Sequence, residues 1–242
     1  MMTSREITFP ASDGHPMRAV IAGDANSERR PGVIVIHEIF GLNDDIRRIT
    51  SRVADLGYVA LAPDLYDGPG LRAICIARTL ITLNRGSGQA FEDLEAARTF
   101  LVEQPGVDPA RIGIIGFCMG GGFALLYAVR APMNVCATFY GDVPKTADKL
   151  RGVCPVLGSY GADDKMFASQ GRRLKTLLEE TRTPHDMKIY DGAGHSFMSR
   201  HEGTLARLAS YGPMRVGYNH DAAEDSWKRI DAFFAKYLAG RA

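Results

Sequence analysis

Residues 112–128 read IGIIGFCMGGGFALLYA, and the rest of the chain is read outward from them. Ile112 to Ile115 is a short, mostly β-branched run, the composition of a strand buried on both faces. Gly116-Phe117-Cys118-Met119-Gly120 follows without a linker, and a helix-forming run begins at once. Strand, G-x-C-x-G and helix in succession form a nucleophile elbow, with cysteine where serine is usual. Such a turn is sharp enough to strain its central residue, and the flanking glycines leave room for close backbone approach. Cys118 is then expected above the sheet edge at a helix N-terminus, where the helix dipole favours a thiolate. Cys75, Cys136 and Cys154 lack this context and are read as small packed hydrophobes.

Composition narrows the alternatives. A chain of 242 residues, 45% apolar and 24% charged, suits a single domain over 1–242 with a full core. A net charge of +1, with both signs spread along the chain, argues against nucleic acid or an anionic membrane as partner. Nothing approaches the roughly 20 apolar residues that span a bilayer, and the N-terminus shows no signal-peptide run. Four cysteines in this setting are expected to be reduced thiols in a cytoplasm. Cys-x-x-Cys and Cys/His metal spacings do not occur, so neither a metal nor a cofactor is expected.

Upstream, 5–9 and 17–22 read as an antiparallel hairpin, and 33–37 as a buried strand that runs directly into Glu38. Asn43 is the expected N-cap of a helix presenting Ile46, Ile49, Val53 and Leu56 on one face. Residues 58–62 form the next strand. The segment 67–90, with a helix over 71–83, reads either as a small lid over a pocket or as a covering helix. A helix over 91–104 and a turn at Asp108–Arg111 lead into the elbow strand. Downstream, strands are expected at 135–140, 153–160 and 186–190, with helices at 168–181 and 222–239. This alternation implies right-handed crossovers and a mostly parallel sheet covered on both faces. Ligands bind such sheets beyond the C-terminal strand ends, where Glu38, Asp64, Cys118, Asp164 and His195 gather.

Acyl transfer needs a nucleophile, a base, a group to orient the base, and donors for the oxyanion. Cys118 supplies the nucleophile, and His195 follows a strand in a Gly-x-Gly-His turn. Asp164 is the preferred acid, with its neighbour Asp163 left open. The backbone amides of Ile39 and Met119 are the expected oxyanion donors. Glu38 is either capped by its loop or engaged in activating Cys118. His15, His185, His201 and His220 are read as surface residues, and His37 as a packed or hydrogen-bonded one. The order nucleophile, acid, histidine is that of the α/β-hydrolases. Two readings on the same fold compete with a hydrolase: a ligand-binding protein that has kept the pocket, and a thiol redox sensor.

His37-Glu38-Ile39-Phe40-Gly41, Ala62-Pro63-Asp64-Leu65-Tyr66, Gly116-Phe117-Cys118-Met119-Gly120-Gly121 and Ala193-Gly194-His195-Ser196-Phe197 together resemble the dienelactone hydrolase (carboxymethylenebutenolidase) family. This is a cysteine branch of the α/β-hydrolases, and the resemblance covers nearly the whole chain. It implies a Cys118-His195-Asp164 triad acting on a small ester or lactone through an acyl-enzyme. It also implies that Glu38 holds the resting thiol and helps to form the thiolate when substrate binds. Phe40, Tyr66 and Tyr140 match pocket positions. The family's best-known members bind the substrate carboxylate through two arginines. One is expected four residues after the histidine, where this chain has Ser199, with Arg200 next to it. The other is expected where this chain has Ala62, leaving Arg72 as a substitute from the lid. The long segment Met198–Asp221 is read as functional. A monomer or homodimer is expected.

Overall fold

The structure is a computed structural model that describes residues 4–24, 28–68, 70–201 and 210–239. Eight strands among them form one sheet: β1 (Ser4–Pro10), β2 (Pro16–Ala22), β3 (Arg30–Ile36), β4 (Val59–Pro63), β5 (Val107–Phe117), β6 (Val135–Phe139), β7 (Val156–Gly161) and β8 (His185–Tyr190). Their order is β1-β2-β4-β3-β5-β6-β7-β8, antiparallel at the N-terminal hairpin and its junction with β4, and parallel from there on. The helices are α1 (Asp44–Asp55), α2 (Arg72–Arg85), α3 (Gln89–Val102), α4 (Met119–Ala128), α5 (Ala168–Glu180) and α6 (His220–Tyr237). Among the described residues, no helix is long and apolar enough to cross a membrane.

Local chemistry accounts for most of these boundaries. Asn43 caps α1 by accepting the Ile46 N–H at 3.0 Å, and the helix buries Ile46, Ile49 and Val53 against the sheet. Asn219 caps α6 in the same way, accepting the Ala222 N–H at 3.1 Å, and α6 buries Trp227, Ile230 and Phe234. The central strands are buried on both faces, which is why they read as continuous apolar runs rather than alternating ones.

Two of the differences between the sequence reading and the structure have a clear local cause. The turn expected at 108–111 lies inside β5. Pro31 pairs with Asp108 and the next residue, Gly32, pairs with Ile112, so residues 109–111 bulge from the ladder. Asp108 fastens the bulge, accepting the Ala110 N–H at 3.0 Å and the Arg111 Nε–H at 2.7 Å. The turn chemistry is therefore present, but it makes a bulge instead of ending the strand. In addition β7 starts at Val156, because the Val153 N–H closes back onto Leu150 after a 3-10 turn over Ala147–Leu150.

The segment 67–90 contributes α2, which packs against α3 and α4 and buries Cys75, Thr79, Thr82 and Leu83. Its opposite face leaves Leu71, Ile74 and Ile81 exposed. Arg72, in its first turn, lies over the Tyr66 ring and 3.7 Å from Asp64.

Candidate active site

The site is built where β3, β5, β6 and β7 end. Cys118 joins β5 directly to α4 and has φ 53°, ψ −120°, a conformation that L-residues rarely adopt. Holding it there costs about 1–3 kcal/mol, stabilised by the surrounding fold. The Cys118 N–H donates to the Phe139 carbonyl at 2.9 Å, while its own carbonyl accepts from Gly121 at 2.9 Å. A side chain on Gly116 would overlap the Gly120 carbonyl, and one on Gly120 would overlap the carbonyls of Ile36 and His37. Only glycine at these positions lets β3, β5 and α4 meet backbone to backbone, which seats the sulfur above the sheet edge.

His195 stands opposite in the loop after β8. Its Nδ1 lies 2.6 Å from Asp164 Oδ2, and both side chains are buried. Asp164 is itself fixed, since Oδ1 accepts the N–H groups of Met166 at 3.0 Å and Phe167 at 3.1 Å. Asp163 makes no such contact; its N–H donates to the Ala193 carbonyl. Of the two aspartates left open by the sequence, Asp164 is the one whose carboxylate meets His195. The His195 ring is flanked by Tyr140 and Phe167, with centroids 4.9 and 4.8 Å away. Burial pulls the His195 proton affinity down, but the Asp164 carboxylate and then the Cys118 sulfur outweigh it and raise the pKa to about 10. His195 Nε2 is buried with no hydrogen-bond partner among the described residues. Cys118 is thus close enough to the imidazole to raise its pKa.

The described part of the long segment after Met198 acts as a strap. Met214 accepts the His195 N–H at 2.8 Å, the Gly217 N–H returns to the His195 carbonyl at 3.0 Å, and Pro213 accepts from Lys165 at 3.0 Å. One stretch of chain thereby ties the histidine loop to the aspartate loop. Residues 202–209 of the same segment lie outside the described residues.

Glu38 lies two residues beyond β3, in the interior. Ser199 Oγ donates to its Oε1 at 3.0 Å, and His201 Nε2 lies 2.5 Å from its Oε2. This overturns the surface reading of His201, whose side chain is only 9% exposed. The physical reason is that a carboxylate buried at a strand end needs a counter-ion, and the loop after His195 brings one. No local pattern signals it, because the pairing joins segments far apart in the chain. The four-residue turn from Glu38 to Gly41 is closed by the Gly41 N–H donating to the Glu38 carbonyl at 3.0 Å. The side chains of Ile39 and Phe40 project outward, 39% and 43% exposed, with Phe40 edge-on to His201.

The other expected pocket residues divide. Tyr66 is buried and its hydroxyl donates to Met119 Sδ at 3.2 Å, beside the elbow. Tyr140, at φ 42°, is fully buried between His195 and Phe197, with its hydroxyl 3.4 Å from Ser199 Oγ. Arg200 is instead exposed and lies over the Tyr218 ring.

Fold and elbow together define an α/β-hydrolase. The family model for dienelactone hydrolases matches residues 17–238. A carboxymethylenebutenolidase of Rhodococcus opacus is 32% identical over 228 residues, covering 85% of this chain and 81% of that protein. Among solved structures, a dienelactone hydrolase-like promiscuous phosphotriesterase from metagenomic libraries aligns with a TM-score of 0.81 at 28% identity, covering 98% of this chain and 99% of that one. An esterase from Pyrobaculum calidifontis, 18% identical with a TM-score of 0.68, covers 99% of this chain and 86% of its own and shares the fold. The chain belongs to the dienelactone hydrolase family and is a hydrolase of the ester and lactone class.

Proposed function

We propose that the protein hydrolyses a small ester or lactone through a thioester formed on Cys118. The observation that carries this reading is a cysteine held at positive φ between β5 and α4, facing a buried His195–Asp164 pair bonded at 2.6 Å. Glu38 takes the Cys118 thiol proton as substrate binds, and the thiolate attacks the carbonyl carbon while the carbonyl electron pair moves onto oxygen. Two backbone donors receive that oxyanion: the N–H of Ile39, and the N–H of Met119, one of the unpaired donors of the first turn of α4. The tetrahedral adduct collapses, the carbon–oxygen bond to the leaving group breaks, and His195 Nε2 delivers the proton to the departing oxygen. A water then attacks the thioester and gives its proton to His195, and collapse releases the carboxylic acid and a Cys118 thiolate that recovers its proton from Glu38. Asp164 keeps the imidazole oriented and supports its charge.

Glu38 is assigned to activation of the thiol, with Ser199 and His201 as its resting partners. Phe40, Tyr66 and Tyr140 line the acyl and leaving-group space. For a substrate bearing a carboxylate, Arg72 is the favoured anchor, because its guanidinium lies over Tyr66 beside the Glu38–Gly41 turn. Arg200, spent on Tyr218, is the weaker one. A redox-sensor reading lacks a resolving thiol, since Cys136 is fully buried in β6 opposite Ile114.

The test is turnover of p-nitrophenyl acetate and of a dienelactone side by side, with Cys118→Ala as control. Turnover of either substrate that disappears in the variant supports the reading. Turnover that survives in Cys118→Ala overturns it.

A further inference from the structure

His37 has no part in the reaction just described, yet it is fully buried and bonded at both ring nitrogens. Nδ1 lies 2.7 Å from the Glu38 carbonyl oxygen, and the Leu65 N–H points at Nε2 from 3.1 Å. A carbonyl can only accept and an amide N–H can only donate. The ring is therefore neutral, with its proton on Nδ1. Burial acts in the same direction, lowering the affinity for a second proton against the pull of Asp64. The charged groups around the ring are Asp64, 3.8 Å from Nε2, with Arg72 and Glu38 further out, and the Tyr66 ring packs on it at 4.8 Å.

The bond from Nδ1 has a consequence for the next peptide unit. The Glu38 carbonyl and the Ile39 N–H belong to the same planar trans peptide, so they point in opposite directions. That carbonyl is held twice, by His37 Nδ1–H and by the Gly41 N–H at 3.0 Å. The sheet order is β4-β3-β5. His37, the residue after β3, reaches sideways to Leu65 beyond β4, while Cys118 stands beyond β5 on the other side. With the Glu38 carbonyl turned onto the His37 ring, the Ile39 N–H of the same peptide points away from that ring, as a donor to an oxyanion on the Cys118 side must.

We propose that His37 is a positioning residue: its Nδ1–H fixes the Glu38–Ile39 peptide so that the Ile39 amide is aimed at the oxyanion on the Cys118 adduct. The proposal rests on the acyl-transfer reading of Cys118. It predicts different outcomes for two substitutions that split the ring's bonds. His37→Asn keeps an amide donor near the position of Nδ1 and loses the acceptor for Leu65. His37→Gln carries its amide out to the position of Nε2 and loses the donor to Glu38.

Steady-state turnover of p-nitrophenyl acetate, alkylation of Cys118 by iodoacetamide, and inhibition by an aldehyde that forms a tetrahedral hemithioacetal are measured on both variants. Loss of an aligned oxyanion donor costs about 10²–10³ in kcat, so misalignment in His37→Gln is expected to cost roughly 10–100-fold. KM should stay within about twofold, with aldehyde affinity falling in parallel with kcat/KM. Alkylation needs no oxyanion donor and should proceed at the wild-type rate. His37→Asn should retain kcat within about threefold, the rescue expected if the donor is what matters. Wild-type kcat in His37→Gln overturns the proposal, as does a greater loss in His37→Asn than in His37→Gln. So does a parallel fall in alkylation and turnover, which marks a packing role. Wild-type enzyme that still turns over after complete alkylation of Cys118 overturns the acyl-transfer reading itself, a distinct result.

Discussion

His201 Nε2 sits 2.5 Å from Glu38 Oε2, so the carboxylate buried just beyond β3 has a histidine as its counter-ion. Neither atom is aligned on the other as a hydrogen bond, and the contact is an ion pair. Burial pushes the Glu38 carboxyl up, but the His201 imidazolium outweighs it and holds the pKa below the usual value. Burial likewise lowers His201, and Glu38 raises it above an ordinary histidine, with Asp45 adding to the rise and His195 opposing it.

The signs set a pH window for this pair. A depressed Glu38 stabilises the fold above about pH 4.5 and loses that contribution as pH falls through its folded value. A raised His201 stabilises it below about pH 6.5 and loses that contribution as pH rises through its folded value. His201→Gln should therefore lower Tm most between about pH 5 and 6.5, with the gap to wild type closing at alkaline pH. Thermal melts of both proteins from pH 5 to 9 test this, and a pH-independent gap contradicts the ion pair.

His195 is held protonated by Asp164 and Cys118 against the effect of burial, with a pKa of about 10. Its stabilising contribution is complete below about pH 6.5 and is lost as pH rises through 10. The His195 Hε1 resonance should accordingly stay unshifted between pH 6 and 9. A titration midpoint near 6.5 contradicts the charged pairing.

The two adjacent aspartates should behave very differently. Asp164→Asn leaves the imidazole without its acceptor and is expected to reduce kcat by about 10²–10⁴, whereas Asp163→Asn should stay within about threefold. Equal losses would mean that the 2.6 Å bond to His195 is not what orients the base.

Much of this was legible in the sequence because it is local. The elbow is a contiguous pattern, and its glycines are dictated by carbonyls only a few residues or one strand away. The Asn43 cap and the amphipathic face of α1 follow from spacing alone. The β5 bulge was hidden because Asp-Pro-Ala-Arg has the same composition in a turn and in a bulge, and only the pairing with β3 distinguishes them. The Glu38–His201 pair and the strap from Met214 and Gly217 to His195 were out of reach for a different reason. They join segments far apart in the chain, and neither requires a residue type that differs from ordinary loop composition.

Substrate charge is the next question, and Arg72 and Arg200 separate its answers. Arg72→Ala should lower kcat/KM by about tenfold for a lactone bearing a carboxylate, as expected for loss of a charge-assisted hydrogen bond, and leave a neutral ester unchanged. Arg200→Ala should affect neither, since its guanidinium is already engaged with Tyr218. Parallel assays of the two variants on a charged and a neutral substrate check this. A selective loss in Arg200→Ala would reverse the assignment.

The central claim is that Cys118 carries the acyl group, and intact-protein mass spectrometry tests it most directly. Wild-type protein mixed with p-nitrophenyl acetate and quenched in acid within the first turnover should gain a single acetyl group. Peptide mapping should locate it on Cys118, and Cys118→Ala should show neither the adduct nor turnover. An acetyl group on another residue, or undiminished turnover in Cys118→Ala, would contradict the account.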